Sequence, residues 1–245
     1  MVAESMIELA TRGTPEQVWS PWRQRRPELS LCGWRHLVVV AAHPDDEILG
    51  AGGLIALARA RGLPVTVVAV TDGEAADHGH SCTPAELAEL RADESCRAAS
   101  ELDVAPPVRL RMRDGKVAAT ETATTEALVD ILADRAKSGA WCATNWRRDG
   151  HPDHEAVGRA TAAACAATAT RLLEFPVWMW HWATPDHPVL RTSRARTVTL
   201  SPTAIAAKRK ALGHFRSQTC PMSDRPAQPP HELDRFSGAT ETFFV

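Results

Sequence analysis

Short unbroken apolar runs alternate along the chain with segments whose apolar positions recur at helical spacing. Residues 36–42 (His36-Leu37-Val38-Val39-Val40-Ala41-Ala42) form a β-branched run suited to a central strand buried on both faces. Residues 48–61 then read as a helix closed by Gly62. Val65 to Val70 repeats the buried-strand pattern. Thr83 and Pro84 open a second helix toward Leu102, with Thr83 as N-cap and Glu86 completing a capping box. Further on, the pattern predicts strands over 108–112, 141–145, 172–182 and 197–200, the third rich in large aromatics. Helices are predicted over 124–137, 153–170 and 202–215. Strands and helices alternating at this spacing predict βαβ units and a mostly parallel sheet, the α/β class. Residues 36–220 read as one domain without repeat or linker. Residues 1–35, with Trp19, Trp22, Trp34 and a Pro21–Pro27 basic stretch, read as an irregular arm laid over it. Residues 221–245 read as a tail whose proline-rich part, 221–230, is surface loop.

Composition narrows the function classes. A chain of 245 residues, 44% hydrophobic, can bury a core without disulfides or structural metal, so a metal site here would serve chemistry. A net charge of -2 and a pI near 6.6 argue against a nucleic-acid partner. The six cysteines are dispersed with no C-x-x-C pair, as in a reduced, cytoplasmic protein. No apolar run approaches the roughly 20 residues that a bilayer crossing needs, and no signal-peptide pattern opens the chain, so no membrane partner is expected. Tyrosine is absent, and the eight tryptophans can supply large amphipathic surface instead.

In sheets of this class ligands bind beyond the carboxyl ends of the strands, so loops after Ala42, Val70, Met112 and Asn145 should line one crevice. Two of these loops hold dense metal-capable sequence: Ala42-His43-Pro44-Asp45-Asp46-Glu47 and His151-Pro152-Asp153-His154-Glu155. His43 and Asp46 lie three apart across a turn fixed by Pro44. His151 and His154 lie three apart at a helix start, where Pro152 suits the first turn. His43, Asp46 and His154 can then supply three N/O ligands and leave a fourth position for water, the arrangement of a catalytic zinc. Asp45 is placed to take a proton from that water, and His151, if protonated, to steady an oxyanion and protonate a leaving amine. Alone, each motif also reads as helix capping or a dipole-favoured acidic N-terminus. Together, each at a strand's carboxyl end, they point to a metal site.

These residues resemble the PIG-L/LmbE-type zinc deacetylases, which include the mycothiol- and bacillithiol-pathway enzymes. The likeness rests on Ala42 to Glu47 with Gly50 to Gly53, on Thr71-Asp72-Gly73-Glu74, and on Gly150-His151-Pro152-Asp153-His154. The resemblance implies a Rossmann-like three-layer α/β/α sandwich, with His43, Asp46 and His154 as ligands to zinc or ferrous iron. It implies Asp45 as general base, His151 as the group polarising the amide, and an N-acylated amino sugar or similar amide as substrate. Asp72, Glu74 and Asp114 are candidates to hold sugar hydroxyls, with turn formation as the alternative. Trp178, Trp180 and Trp182 alternate along the aromatic segment and either wall a pocket or pack in the core. Mycothiol-pathway members carry a tyrosine in the loop before the second motif. Here that loop reads Asn145-Trp146-Arg147-Arg148-Asp149-Gly150, making Trp146 and Arg147 further substrate-contact candidates. Two rival functions remain at this point: an amidase acting on a non-sugar amide or thiol conjugate, and a Rossmann-like binding protein without catalysis.

Overall fold

The apolar run at 36–42 becomes β1 (His36–Ala41), paired in parallel with β2 (Val65–Thr71) on one side and β4 (Ala140–Asn145) on the other. Val39 lies opposite Val67 and Ala143. The structure, a computed structural model, describes residues 13–76, 82–136, 139–219 and 233–245. The segment Asp77-His78-Gly79-His80, Cys220 and the proline-rich 221–230 stretch lie outside the described residues. β3 (Val108–Met112) and β5 (Arg171–Phe175) extend the parallel sheet, while β7 (Thr240–Phe244) and β6 (Ala195–Thr199) complete it antiparallel. The strand order is β3-β2-β1-β4-β5-β7-β6.

Side chains alternate across a strand, so β1 feeds two cores. Leu37 and Val39 join Leu54 and Ile55 of α2 (Asp46–Ala60), Ala98 of α3 (Pro84–Glu101) and Ala211 of α8 (Pro202–Leu212). Val38 and Val40 face the other way, against Leu128 and Leu132 of α4 (Glu121–Ala136) and Val157 and Ala160 of α5 (Pro152–Thr168). The result is the expected three-layer α/β/α sandwich. The Thr83 capping box forms as the sequence predicts, with the Thr83 amide donating to Glu86 and the Glu86 amide to Thr83 Oγ1. Among the described residues no helix is long and apolar enough to cross a membrane.

Three sequence expectations are corrected. The arm contains a helix, α1 (Glu16–Gln24), because Trp19 and Trp22 bury one face against Trp180, Met179 and Phe244. Two of its basic residues are used internally: the Arg23 guanidinium stacks 4.0 Å over the Trp180 ring and Arg26 sits over Trp22. The aromatic strand over 172–182 ends at Phe175. The amides of Val177, Trp178 and Met179 donate to the Asp149 carboxylate instead of a strand neighbour, and a short helix, α6 (Met179–Trp182), follows. Finally, the tail contributes β7 to the sheet interior, where Phe243 is fully buried. Two further short helices, α7 (Pro188–Arg191) and α9 (Arg216–Thr219), lie on the far side of β5 in sequence.

From β1 the chain builds outward through β2 and β3, then returns to β4 on the opposite side. The order therefore reverses between β1 and β4, where a crevice opens at the strands' carboxyl ends. The two strand ends are tied together by the Ala42 amide, which donates to Asn145 Oδ1 at 2.9 Å.

Candidate metal centre

Both motifs arrive at this crevice. His43 leaves β1, Asp46 opens α2, and His151 and His154 stand at the start of α5, where His151 is the N-cap and Pro152 the first residue. Gly158 lets α5 approach the loop after β4, since a Cβ there would lie 2.7 Å from the Asn145 carbonyl oxygen. Three ligand-capable atoms converge as a result. His43 Nδ1 is 3.1 Å from His154 Nε2 and 3.4 Å from Asp46 Oδ2, and His154 Nε2 is 3.2 Å from the same Asp46 oxygen. A tetrahedral ion with bonds of about 2.0–2.1 Å sets its ligands about 3.4 Å apart, so this triangle fits one face of such a site. His43, His151 and His154 also lie close enough to share an ion. The Asp46 triangle is the better set, because His151 Nδ1 already accepts from the Asp153 amide at 3.3 Å.

The outer nitrogens of both candidate ligands are held by carboxylates. His43 Nε2 faces Asp114 Oδ1 at 3.1 Å and Asp153 Oδ2 at 3.6 Å, while His154 Nδ1 donates to Asp149 Oδ2 at 2.7 Å. These partners place a proton on the outer nitrogen of each ring and free the inner lone pair for a cation. Burial works against charge on Asp46, but His154 and His43 outweigh it and hold its carboxyl below the ordinary range. Burial likewise opposes a charged His43, yet Asp114, Asp153 and Asp46 together push its pKa well up. This excess of negative groups around imidazoles is the electrostatics of a cation site.

Asp45 sits beside the triangle in a strained backbone conformation, φ 126 and ψ -32. Its amide donates to Glu47 Oε2, and its carbonyl accepts from Ile48 and Leu49 at the start of α2. Arg91, reaching in from α3, donates to the carbonyls of Pro44 and Gly73 and stands 3.8 Å from the Asp45 carboxylate. Burial pushes the Asp45 carboxyl up to about 8, against the pull of Arg91. A cation at the triangle would pull it back down. His151 is pushed the other way, to about 2, by burial and by His154 and His43.

These groups line a cleft of about 300 Å³ with Ala75, Ala76, Asp114, Val177, Trp178 and Gln218. The substrate-contact candidates are placed less uniformly. Asp114 reaches the cleft, but it is spent on His43 and on the Ala75 amide. Glu74 accepts from the Asp114 amide, and Asp72 is paired with Arg109 at 2.7 Å. Arg147 is locked bidentate on Glu174, Trp146 stacks on Phe244, and Trp180 packs between Trp19 and Trp22. None of these last five lines the cleft. The three tryptophans of the aromatic segment part ways because α6 replaces a strand, and Trp178 faces the site, its ring 5.5 Å from His151. Arg91, Asp149 and Asp153 are the groups that sequence reasoning missed. Their one visible signal was position: a charged residue on the core face of a helix, and carboxylates just before and within the second histidine pair.

Known proteins give the arrangement its context. A model of the PIG-L family, described as GlcNAc-PI de-N-acetylase, matches residues 38–165, just over half of the chain. The 1D-myo-inositol 2-acetamido-2-deoxy-alpha-D-glucopyranoside deacetylase of Nocardia farcinica is 38% identical over 181 residues, covering 63% of this chain and 59% of that one. The probable N-acetyl-alpha-D-glucosaminyl L-malate deacetylase 2 of Bacillus subtilis is 30% identical over 132 residues, covering 53% and 60%. The chain thus spans about three fifths of the length of these curated relatives. The N,N'-diacetylchitobiose deacetylase from Pyrococcus horikoshii shares the fold, with a TM-score of 0.63 at 19% identity over 83% of this chain and 78% of that one. Because the family model runs through both cation-facing loops and most of the residues that brace them, the chain belongs to the PIG-L family.

Proposed function

We propose that the protein is a metal-dependent hydrolase that removes an acyl group, most simply acetyl, from an N-acylated amino sugar or a small glycoside bearing one. The observation that carries this reading is the triangle of His43 Nδ1, Asp46 Oδ2 and His154 Nε2 with the Asp45 carboxylate beside it in one cleft. The donor set of two imidazoles and one carboxylate suits zinc, and ferrous iron as well. A bound cation supplies Lewis acidity, acidifying water and polarising a carbonyl.

The chain's own residues supply the rest. Asp45 takes a proton from the attacking water at its carboxylate and passes one to the departing nitrogen, leaving a free amine and a carboxylic acid. The turn braced by Arg91 and Glu47 keeps that carboxylate in place. With His151 Nδ1 accepting from the Asp153 amide, the neutral ring carries its proton on Nε2 and donates it as a hydrogen bond to the amide oxygen as charge develops there. This is a neutral-donor role, narrower than that of an imidazolium acid. Trp178 offers a flat apolar wall for a sugar ring. The names of the relatives, all deacetylases of N-acetylglucosamine derivatives, support the same substrate class.

The test is release of free amine from a panel of N-acetylglucosamine glycosides, simple N-acetyl amides and thiol conjugates, with zinc-loaded and chelator-stripped protein. Zinc-dependent turnover of the glycosides is expected, and Asp45→Asn should lower kcat by about 10²–10⁴-fold while zinc stays bound. Turnover confined to non-sugar amides would move the substrate class. A fully active Asp45→Asn would remove the assigned base.

A further inference from the structure

Asp149, in the loop between β4 and α5, is completely buried. Its Oδ2 accepts from His154 Nδ1 at 2.7 Å and from the Trp178 amide at 2.9 Å. Its Oδ1 accepts from the amides of Val177 at 2.9 Å and Met179 at 3.0 Å. Its carbonyl accepts from Trp182 Nε1 at 2.7 Å, so the segment from 177 to 182 is fastened to this one residue at both ends. Four donors fill the roughly four lone-pair sites of a carboxylate, which fixes its rotation.

Two parts of the cleft therefore hang on one side chain. The ring that Asp149 grips by Nδ1 presents Nε2 to the cation triangle, and the backbone it grips carries the Trp178 wall. We propose that Asp149 is a positioning residue for both, aiming His154 at the cation and seating residues 177–182 so that Trp178 stands over the substrate. Only the kinetic arm of this proposal rests on the hydrolase reading.

Asp149→Asn separates the two oxygens. An amide oxygen in the Oδ1 position still accepts from Val177 and Met179. The NH2 group in the Oδ2 position meets the Trp178 amide, a donor, and can satisfy His154 only if that ring gives up its Nδ1 proton. The proton then moves to Nε2, the atom needed for the cation.

The experiment uses the full chain as wild type, Asp149→Asn and Trp178→Ala. Zinc affinity is measured by competition with a chromogenic chelator, amide hydrogen exchange is followed over 177–182, and KM is measured on an N-acetylglucosamine glycoside at saturating zinc. Asp149→Asn should weaken zinc about 10–100-fold, speed exchange over 177–182 and raise KM. Trp178→Ala should raise KM with zinc affinity unchanged. Wild-type zinc affinity in Asp149→Asn, or unaltered exchange over 177–182, overturns the proposal. Should Asp149→Asn fail to fold, Trp178→Ala decides: zinc must still slow exchange over 177–182 when the indole is gone, and equal rates with and without zinc overturn the link. A wild type that binds zinc but hydrolyses nothing defeats the hydrolase reading and leaves the affinity and exchange results to judge Asp149.

Discussion

Arg91 shows how a single residue sets up a site it was not read as belonging to. Its guanidinium holds the carbonyls on either side of the crevice, at Pro44 and Gly73, and stands 3.8 Å from Asp45. The nearby positive charge lowers the proton affinity of Asp45, countering burial. Replacing Arg91 by Met removes that charge, so Asp45 loses its proton only at higher pH and the acid limb of kcat/KM moves upward. The expected displacement is about 1–3 pH units. An unmoved acid limb would mean that Asp45 is not the titrating base or that Arg91 does not act on it. At this scale the sequence displayed the five residues of the two motifs, because short spacing alone can aim side chains within a turn. It did not display Arg91, Asp149 or Asp153. Apart from the Asp149–His154 pair, the partners of these side chains lie 18 or more positions away in the chain, many of them backbone amides or carbonyls that any residue could offer, and nothing local marks such pairings.

Among the elements, α2 is the one most dependent on its neighbours. Gly50 and Gly53 let it press against β5 and the loop before α8, since a Cβ at Gly50 would fall 2.0 Å from the Phe175 ring. A buried ion pair, Lys208 of α8 and Glu241 of β7, is also stitched into it. Glu241 accepts from the Gly53 and Leu54 amides, and Lys208 donates to the Leu49 carbonyl. Leu49 and Gly53 are the two ends of one helical i to i−4 step, so the ion pair bridges a turn of the helix. Lys208→Met leaves a buried carboxylate without its cation and should cost about 3–5 kcal/mol by urea denaturation. Lys208→Met with Glu241→Met should recover part of that loss, because no buried charge is then left unpaired. Equal stability of wild type and Lys208→Met would show the pair to be energetically idle. Elements with strong local signals, such as β1, β2 and α3 with its capping box, were legible in sequence. β7 was not, because a five-residue strand inserted between β5 and β6 draws its stability from both neighbours. The aromatic segment misled for the complementary reason: its strand-like composition yields to the Asp149 carboxylate, which takes the amides a strand would have paired.

Across the whole molecule, the architecture was legible because the strand and helix alternation fixes a parallel sheet, and a parallel sheet fixes where its loops converge. The cation triangle draws on α2, which covers one face of the sheet, and on α5, which covers the other. A cation there ties the two layers together across the carboxyl ends of the neighbouring strands β1 and β4. The ligands come from positions 43, 46 and 154, far enough apart that the unfolded chain cannot hold the ion with all three. Binding to the folded state alone stabilises it by about 2.7 kcal/mol when free cation is a hundredfold above its Kd. For a chain of this size that corresponds to a rise in Tm of about 5–11 °C on adding zinc to stripped protein. His154→Ala, which deletes one corner of the triangle and leaves both layers in place, should abolish most of that rise. Calorimetric scans with and without zinc decide the matter: identical Tm values for the wild type would mean that no cation bridges these layers, and an undiminished rise in His154→Ala would put the cation elsewhere.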